Sequence, residues 1–346
     1  MKKKGLFIVI GIFFVALIFG AFLVTGARAE QVKWPETLIV GTPSLTGANY
    51  TVWMGVAPVI KKYTPAKDVS IQPYGGPGVW GPMMAKKEVD LAMHSGCSVL
   101  DLFFGRGPYK KLGPIPVRTM IGGNHYAWGF NTYVARNIRS LSDLKGKVCY
   151  TRQMGNPMPG QVAEALLGAV GLSTKDLKAA MVIPSFKEGV KDLIEGKIDA
   201  FIYPFISVSV LQINQAKGEA TLVPVTRKQA EAAIAKLPGW YICDVAAGEA
   251  GNKSEVKNAV CAQTGIHCRA DLHPEIVYQL TKAILEHHDE WVGCHPIAKE
   301  WGLDQKPVTS AAEPYHEGAV KYYKEKGLWT PEIQKYNDDL FKQLKK

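Results

Sequence analysis

Short apolar strands alternate with amphipathic helices along most of this chain, and that alternation limits the fold more than any other feature. Residues 37–42 (TLIVGT), 69–73, 89–94 (VDLAMH), 117–121, 147–151 and 198–203 (IDAFIY) read as strands. Between them lie helical patterns. Val52, Val56, Val59 and Ile60 fall at helical spacing up to Tyr63, although Pro58 predicts a kink or a late start. Ser140 with Asp143 forms a capping box for one turn that Gly146 ends. Val162, Leu166 and Val170 share a helix face that stops at Gly171. A further helix covers 186–195, and Thr226 with Gln229 caps one over 226–236. The C-terminal third reads as mainly helical, with starts at Pro274 and at Thr330-Pro331 and a stop at Gly327. The Pro274 helix is expected to reach about Trp291. Such a pattern implies an α/β fold with mainly parallel sheets, whose ligands bind beyond the carboxyl ends of the strands. Those ends are the loops 42–50, 94–98, 152–160 and 203–207, and their convergence would define one pocket.

The N-terminus bears on destination. Lys2, Lys3 and Lys4 precede an apolar run over 5–24, and Ala27-Arg28-Ala29 supplies the small-x-small pattern of a cleaved signal peptide. The run is also long enough to stay as a membrane anchor. Either way the rest of the chain, from Glu30 to Lys346, is expected outside the cytoplasm, in the periplasm. Removing the four positive charges of the leader takes the net charge from +10 to +6. A modest positive balance favours encounter with small anions. No basic block with interleaved aromatics points to nucleic acid.

Export permits disulfides among Cys97, Cys149, Cys243, Cys261, Cys268 and Cys294. Six cysteines allow 15 pairings, with Cys261 and Cys268 nearest in sequence. There is no C-x-x-C, and His267, Cys268 and His273 match no zinc spacing. Nor is there a G-x-S-x-G, H-E-x-x-H or Walker loop, so no cofactor, no metal and no catalytic residues are expected, and the chain reads as a non-enzyme.

Six segments in order resemble the TAXI family, the solute receptors of TRAP transporters. They are Gly41-Thr42 with Thr46-Gly47-Ala48-Asn49-Tyr50; Glu88-Val89-Asp90-Leu91-Ala92; Ser140-Leu141-Ser142-Asp143-Leu144-Lys145-Gly146-Lys147; Leu193-Ile194-Glu195-Gly196-Lys197-Ile198-Asp199-Ala200-Phe201; Pro238-Gly239-Trp240-Tyr241; and His316-Glu317-Gly318-Ala319 running on to Gly327. The resemblance implies a two-lobed class II periplasmic binding protein fold. It also implies capture of a small organic anion, an amino acid or a dicarboxylate, and its delivery to TRAP membrane permease subunits. The alternatives are a membrane-anchored sensor on the same fold and, less favoured, a periplasmic enzyme on it. The sequence departs from the family at Pro43, Ser44, Leu45 and Asn49, at Gly78 and Trp80, and at 155–160, so Trp80, Met154 and Met158 are expected to make the pocket more apolar.

The expected layout is lobe 1 over 32–123 plus 248–346 and lobe 2 over 126–240, with hinges near 124–131 and 241–248, in a monomer. The candidate ligand-binding residues are Ser44, Thr46, Gly47, Asn49, Tyr50, Gly78, Trp80, His94, Ser95, Arg152, Asn156 and Tyr203. Arg152 at a strand end is either a carboxylate clamp or a surface or lobe-bridging charge. Asn49 and Tyr50 stand where a loop enters a helix, which favours an anion, and Asn49 also suits an N-cap. His94 and Tyr203 end their strands, and Trp80 either stacks on a ligand or packs in the core. Asp90 and Asp199 are expected to orient backbone at strand starts.

Overall fold

The computed structural model describes residues 32–42, 45, 47–74, 76–154, 156–183, 185–301 and 313–344, without the side chain of Ser207. The leader over 1–29 lies outside these residues. The chain begins with β1 (Thr37–Thr42), α1 (Ala48–Tyr63), β2 (Asp68–Pro73), α2 (Pro77–Ala85), β3 (Leu91–Ser95) and α3 (Gly96–Phe104). A 17-residue strand, β4 (Val117–Tyr133), follows. Then come β5 (Val148–Gln153), α4 (Met158–Gly168), β6 (Ala179–Ile183), α5 (Phe186–Ile194), β7 (Ala200–Pro204), α6 (Ser207–Lys217), β8 (Ala220–Leu222) and α7 (Arg227–Ile234). Next are β9 (Tyr241–Val245), the 14-residue β10 (Val256–Arg269), α8 (Pro274–Glu286), α9 (His288–Trp291), α10 (Glu317–Glu325) and α11 (Pro331–Leu344).

All ten strands join one ladder in the order β2-β1-β3-β10-β4-β7-β5-β6, with β8 beside β4 and β9 beside β10. β1, β2 and β3 are mutually parallel, as are β5, β6 and β7. The two parallel sets are the sheets of two lobes, and the long antiparallel pair β4–β10 runs through both. At one end β10 pairs with β3 through residues Thr264 to Cys268. At the other end it pairs with β9 through Val256 to Cys261. Residues 241–248, expected as a crossing, instead form β9 and the turn after it. Val260 and Ala262 of β10 pack with Phe130, Met158, Val162 and Leu166, while Ala259 and Cys261 pack with Phe201, Val245 and Ile213. β10 therefore carries the chain from the second lobe's cores back to β3.

Two strand-start aspartates brace the two lobes, one within each, in the same way. Asp90 accepts the backbone N–H of Ile39 at 3.0 Å and Arg269 Nε at 3.0 Å. Asp199 accepts the N–H of Val148 at 2.8 Å and Arg136 at 2.6 and 3.0 Å. Each carboxylate thus satisfies a buried donor at the head of the neighbouring strand and pairs with one guanidinium.

Several expectations are corrected. The C-terminal third is not mainly helical at its start, because 256–269 is β10. The strand expected over 117–121 runs on to Tyr133. α1 continues through Pro58, which sits on its exposed side. The Pro274 helix breaks at His287, whose ring stacks on Tyr63 at 3.4 Å, and restarts as α9. The capping boxes at Ser140 and Thr226 are present. A disulfide joins Cys243 of β9 to Cys261 of β10, so Cys261 is not paired with Cys268. Cys97, Cys149 and Cys268 are buried free thiols, and Cys294 is half-buried.

Candidate functional site: a cleft where opposed strand ends meet

The strand register locates the site. β3 runs in the same direction as β4 and ends at Ser95, opposite Thr264 of β10. β7 runs against β4 and ends at Pro204, opposite Trp128. Gln263 in turn faces His125. The carboxyl ends of the two parallel sets therefore point at each other across residues 124–128 of β4, a gap of a few residues. Helix starts gather at the same ends: Ala48 and Gly96 from one lobe, Met158, Phe186 and Ser207 from the other. Unpaired N–H groups at helix starts favour a negatively charged guest.

The floor of the cleft is braced by hydrogen bonds. Asn124 is fully buried, and its Oδ1 accepts Thr264 Oγ1 at 2.7 Å and Trp301 Nε1 at 3.3 Å. Gln263 Nε2 donates to the Gly123 carbonyl at 2.9 Å. A Cβ at Gly123 would stand 2.0 Å from the Trp301 ring, so no side chain fits there. His125 donates its backbone N–H to Glu300 at 2.8 Å, and its ring bonds the Tyr241 hydroxyl. Burial raises the Glu300 carboxyl above its ordinary value and lowers the His125 imidazole. Across the cleft, Gln161 Nε2 of α4 reaches Asp101 Oδ2 of α3 at 3.4 Å, and Arg106 holds Asp101 at 2.9 Å.

Aromatic rings line the second lobe's side. Tyr203 stacks on Phe186 at 4.4 Å and tilts against Trp128 at 5.9 Å, and Trp240 meets Trp128 edge-on at 5.7 Å. Burial pushes the Tyr203 phenol up to about 12, and the Tyr126 phenol is raised as well. Trp128 Nε1, Thr42 Oγ1, Thr151 Oγ1 and Asn49 Oδ1 are buried and reach no partner among the described residues. All four lie on the strands or the helix start that border the cleft, so a polar ligand there would satisfy groups that the fold leaves open.

The structure distributes the sequence candidates unevenly. Ser44 and Thr46 lie outside the described residues. Gly47 is the N-cap of α1, and its carbonyl accepts the Tyr50 N–H at 3.0 Å. Asn49 ties α1 to β3 by donating to the Met93 carbonyl at 3.4 Å, and Tyr50 is half-buried beside it. His94 and Ser95 are buried at the end of β3, and Ser95 is the N-cap of α3. Burial lowers His94 to about 4, with its Nδ1 3.5 Å from the Ser95 carbonyl oxygen. Tyr203 is at the end of β7, within the aromatic group.

The remaining candidates sit differently. Gly78 is exposed at the start of α2. Trp80 is fully buried among Met84, Val99, Leu102 and Phe103, a core position. Met158 is likewise in the core, and Met154 is 85% exposed, so neither adds an apolar wall as expected. Arg152 lies inside β5, not beyond it, with an exposed side chain and no ion pair among the described residues. Asn156 shapes the entry to α4: its Oδ1 accepts the Met158 N–H at 3.1 Å and its Nδ2 donates to Gln153 at 3.3 Å.

Sequence reasoning missed Tyr126, Trp128, Phe186 and Trp240. The period-2 spacing of Tyr126, Trp128 and Phe130 carried the signal, but the fourth strand had been ended at Ile121. No group of three His, Cys, Asp or Glu among the described residues is arranged to hold a metal. His267 bonds Glu313 and the His94 carbonyl, while His273 caps α8.

This architecture is that of the two-lobed periplasmic binding proteins. A family model places the chain more closely: residues 40–327 match the NMT1-like family, and the chain belongs to it. Among solved structures, PhnD1 from Prochlorococcus marinus, in complex with methylphosphonate, aligns with a TM-score of 0.53 at 12% identity, over 85% of this chain and 99% of that one. XAC2383 from Xanthomonas citri, bound to ATP, aligns with a TM-score of 0.51 at 10% identity, over 90% and 98%. No curated protein matches the chain at significant sequence similarity.

Proposed function

We propose that this protein is an exported solute receptor of a membrane transporter, which captures a small organic carboxylate between its lobes and passes it to a TRAP-type permease. The observation that carries this reading is the meeting of the two sets of strand ends and helix starts over one floor, 124–128 with 262–265. That geometry suits a reversible clamp on a small anion. Family membership supports the binding role, and the ordered segments from Gly41 to Gly327 support the TRAP assignment. Lobes hinged on β4 and β10 would close on the ligand, and the Gln161–Asp101 contact already links them across the cleft. Among the described residues no helix is long and apolar enough to cross a membrane.

A thermal-shift screen of residues 30–346 tests the proposal. Amino acids, dicarboxylates, keto acids and aromatic acids form the panel, with methylphosphonate for comparison. A carboxylate at 100 times its dissociation constant adds about 2.7 kcal/mol of stability. A response confined to phosphonates, or conversion of any panel member to product, would overturn the reading.

A further inference from the structure

A cavity of about 670 Å³ opens at the far end of the first lobe, under α10 and α11. Arg118, the second residue of β4, forms one wall. It lies eight residues before Tyr126, about 26 Å along the strand from the cleft floor.

The Arg118 guanidinium is set between two rings, its carbon 4.9 Å from the Phe341 centroid and 5.6 Å from that of Phe103. The rings stabilise the cation. Its NH1 donates to the Val117 carbonyl at 2.8 Å. A guanidinium carries five N–H donors. Among the described residues Arg118 has no ion pair; burial works against its charge and the nearby Glu313 carboxylate favours it. Two more cations line the cavity. Lys321 is shared with Glu275 at 3.0 Å, and Lys324 is exposed and has no ion pair among the described residues. Glu317 is the one acid in the lining. His316 caps α10 through its Nδ1, and burial lowers its imidazole from the ordinary value. The lining therefore has excess positive charge beside the rings of Tyr315 and Phe341.

We infer that this cavity is a second anion site, which takes a carboxylate on a flat apolar body through an edge of the Arg118 guanidinium. The guanidinium stands over both rings, and its N–H groups beyond the Val117 bond are available for two parallel hydrogen bonds to a carboxylate. The apolar body would rest against Phe341 and Tyr315. Lys324 adds long-range attraction and no directed contact. This site stands apart from the cleft and does not depend on the transport reading.

The test is a titration of residues 30–346 with sodium benzoate and sodium acetate, followed by ¹H–¹⁵N NMR. Benzoate should shift the Arg118 Nε–H and the amides of Ala270, Glu317 and Val320 saturably. Acetate should bind several-fold more weakly. Arg118→Gln should weaken benzoate binding at least about tenfold, the loss expected for one charge-assisted contact. Lys324→Gln, an exposed change that leaves the fold intact, should weaken it about two- to threefold. No saturable shift with benzoate, equal affinity for acetate, or full benzoate affinity in both variants would overturn the assignment.

Discussion

Asp90 and Asp199 hold equivalent posts at the heads of β3 and β7, and the sequence alone placed both as backbone-orienting groups. The ligand side chains were less legible, because the chemistry of a residue type does not reveal which way a strand faces it. His94 is the informative case. It stands one residue before the end of β3, and its burial has a cost that pH can expose. Its value falls from 6.5 in the unfolded chain to about 4 in the fold. Between those values the unfolded chain binds more protons, so stability is full above pH 6.5 and declines as the pH falls towards 4. The wild-type protein should lose about 3 kcal/mol more than His94→Gln across that window, measured by urea unfolding at a series of pH values. Equal slopes would refute the buried neutral imidazole. Arg152 is exposed in this form, so only a closing lobe would bring it to a ligand. If it clamps a carboxylate, Arg152→Ala should weaken binding by about 1.5–3 kcal/mol by calorimetry, with unchanged melting of the free protein.

At the level of elements, β1 matched its sequence reading at both ends, because TLIVGT is an apolar run closed by a Pro-containing loop. β10 escaped notice for a physical reason. Its sequence, VKNAVCAQTGIHCR, buries Gln263, Thr264 and His267 along with its apolar residues. Each is paired by a distant group: the Gly123 carbonyl, Asn124 and Glu313. A strand buried on both faces shows no alternation, and polar residues satisfied by remote partners look like loop residues. α3 was missed similarly, since eight of its nine residues are buried and leave no polar face to set a period. Pro58 shows the reverse error, in which packing overrides propensity. Val56, Val59 and Ile60 bury their side chains and hold α1 together despite the missing donor. Pro58→Ala should therefore stabilise the protein by about 2 kcal/mol, the helix gain less the lost rigidity of the unfolded chain. An unchanged or lower melting temperature would show that the Pro58 ring is itself part of the packing.

For the whole molecule, the α/β class was legible from the alternation of elements and two lobes from the family resemblance, whereas the part that β10 plays between the lobes was not. That part depends on β10 entering the ladder between β3 and β4, a pairing of segments far apart in the chain. A chain ending at Gly251 should consequently leave β3 and β4 without their shared neighbour. Hydrogen exchange of that fragment should show no protected amides in β1 to β3, and native-like protection there would disprove the dependence. The insertion of β10 also sets a schedule. Ser95 ends β3, yet its partner strand ends at Arg269, 174 residues later. At ribosomal speeds that is a wait of roughly 10–35 s. Throughout it β3 lacks the strand that joins it to β4, and the first lobe cannot lock. For a chain exported as proposed, which must reach its translocation pore unassembled, the order of synthesis itself would delay assembly.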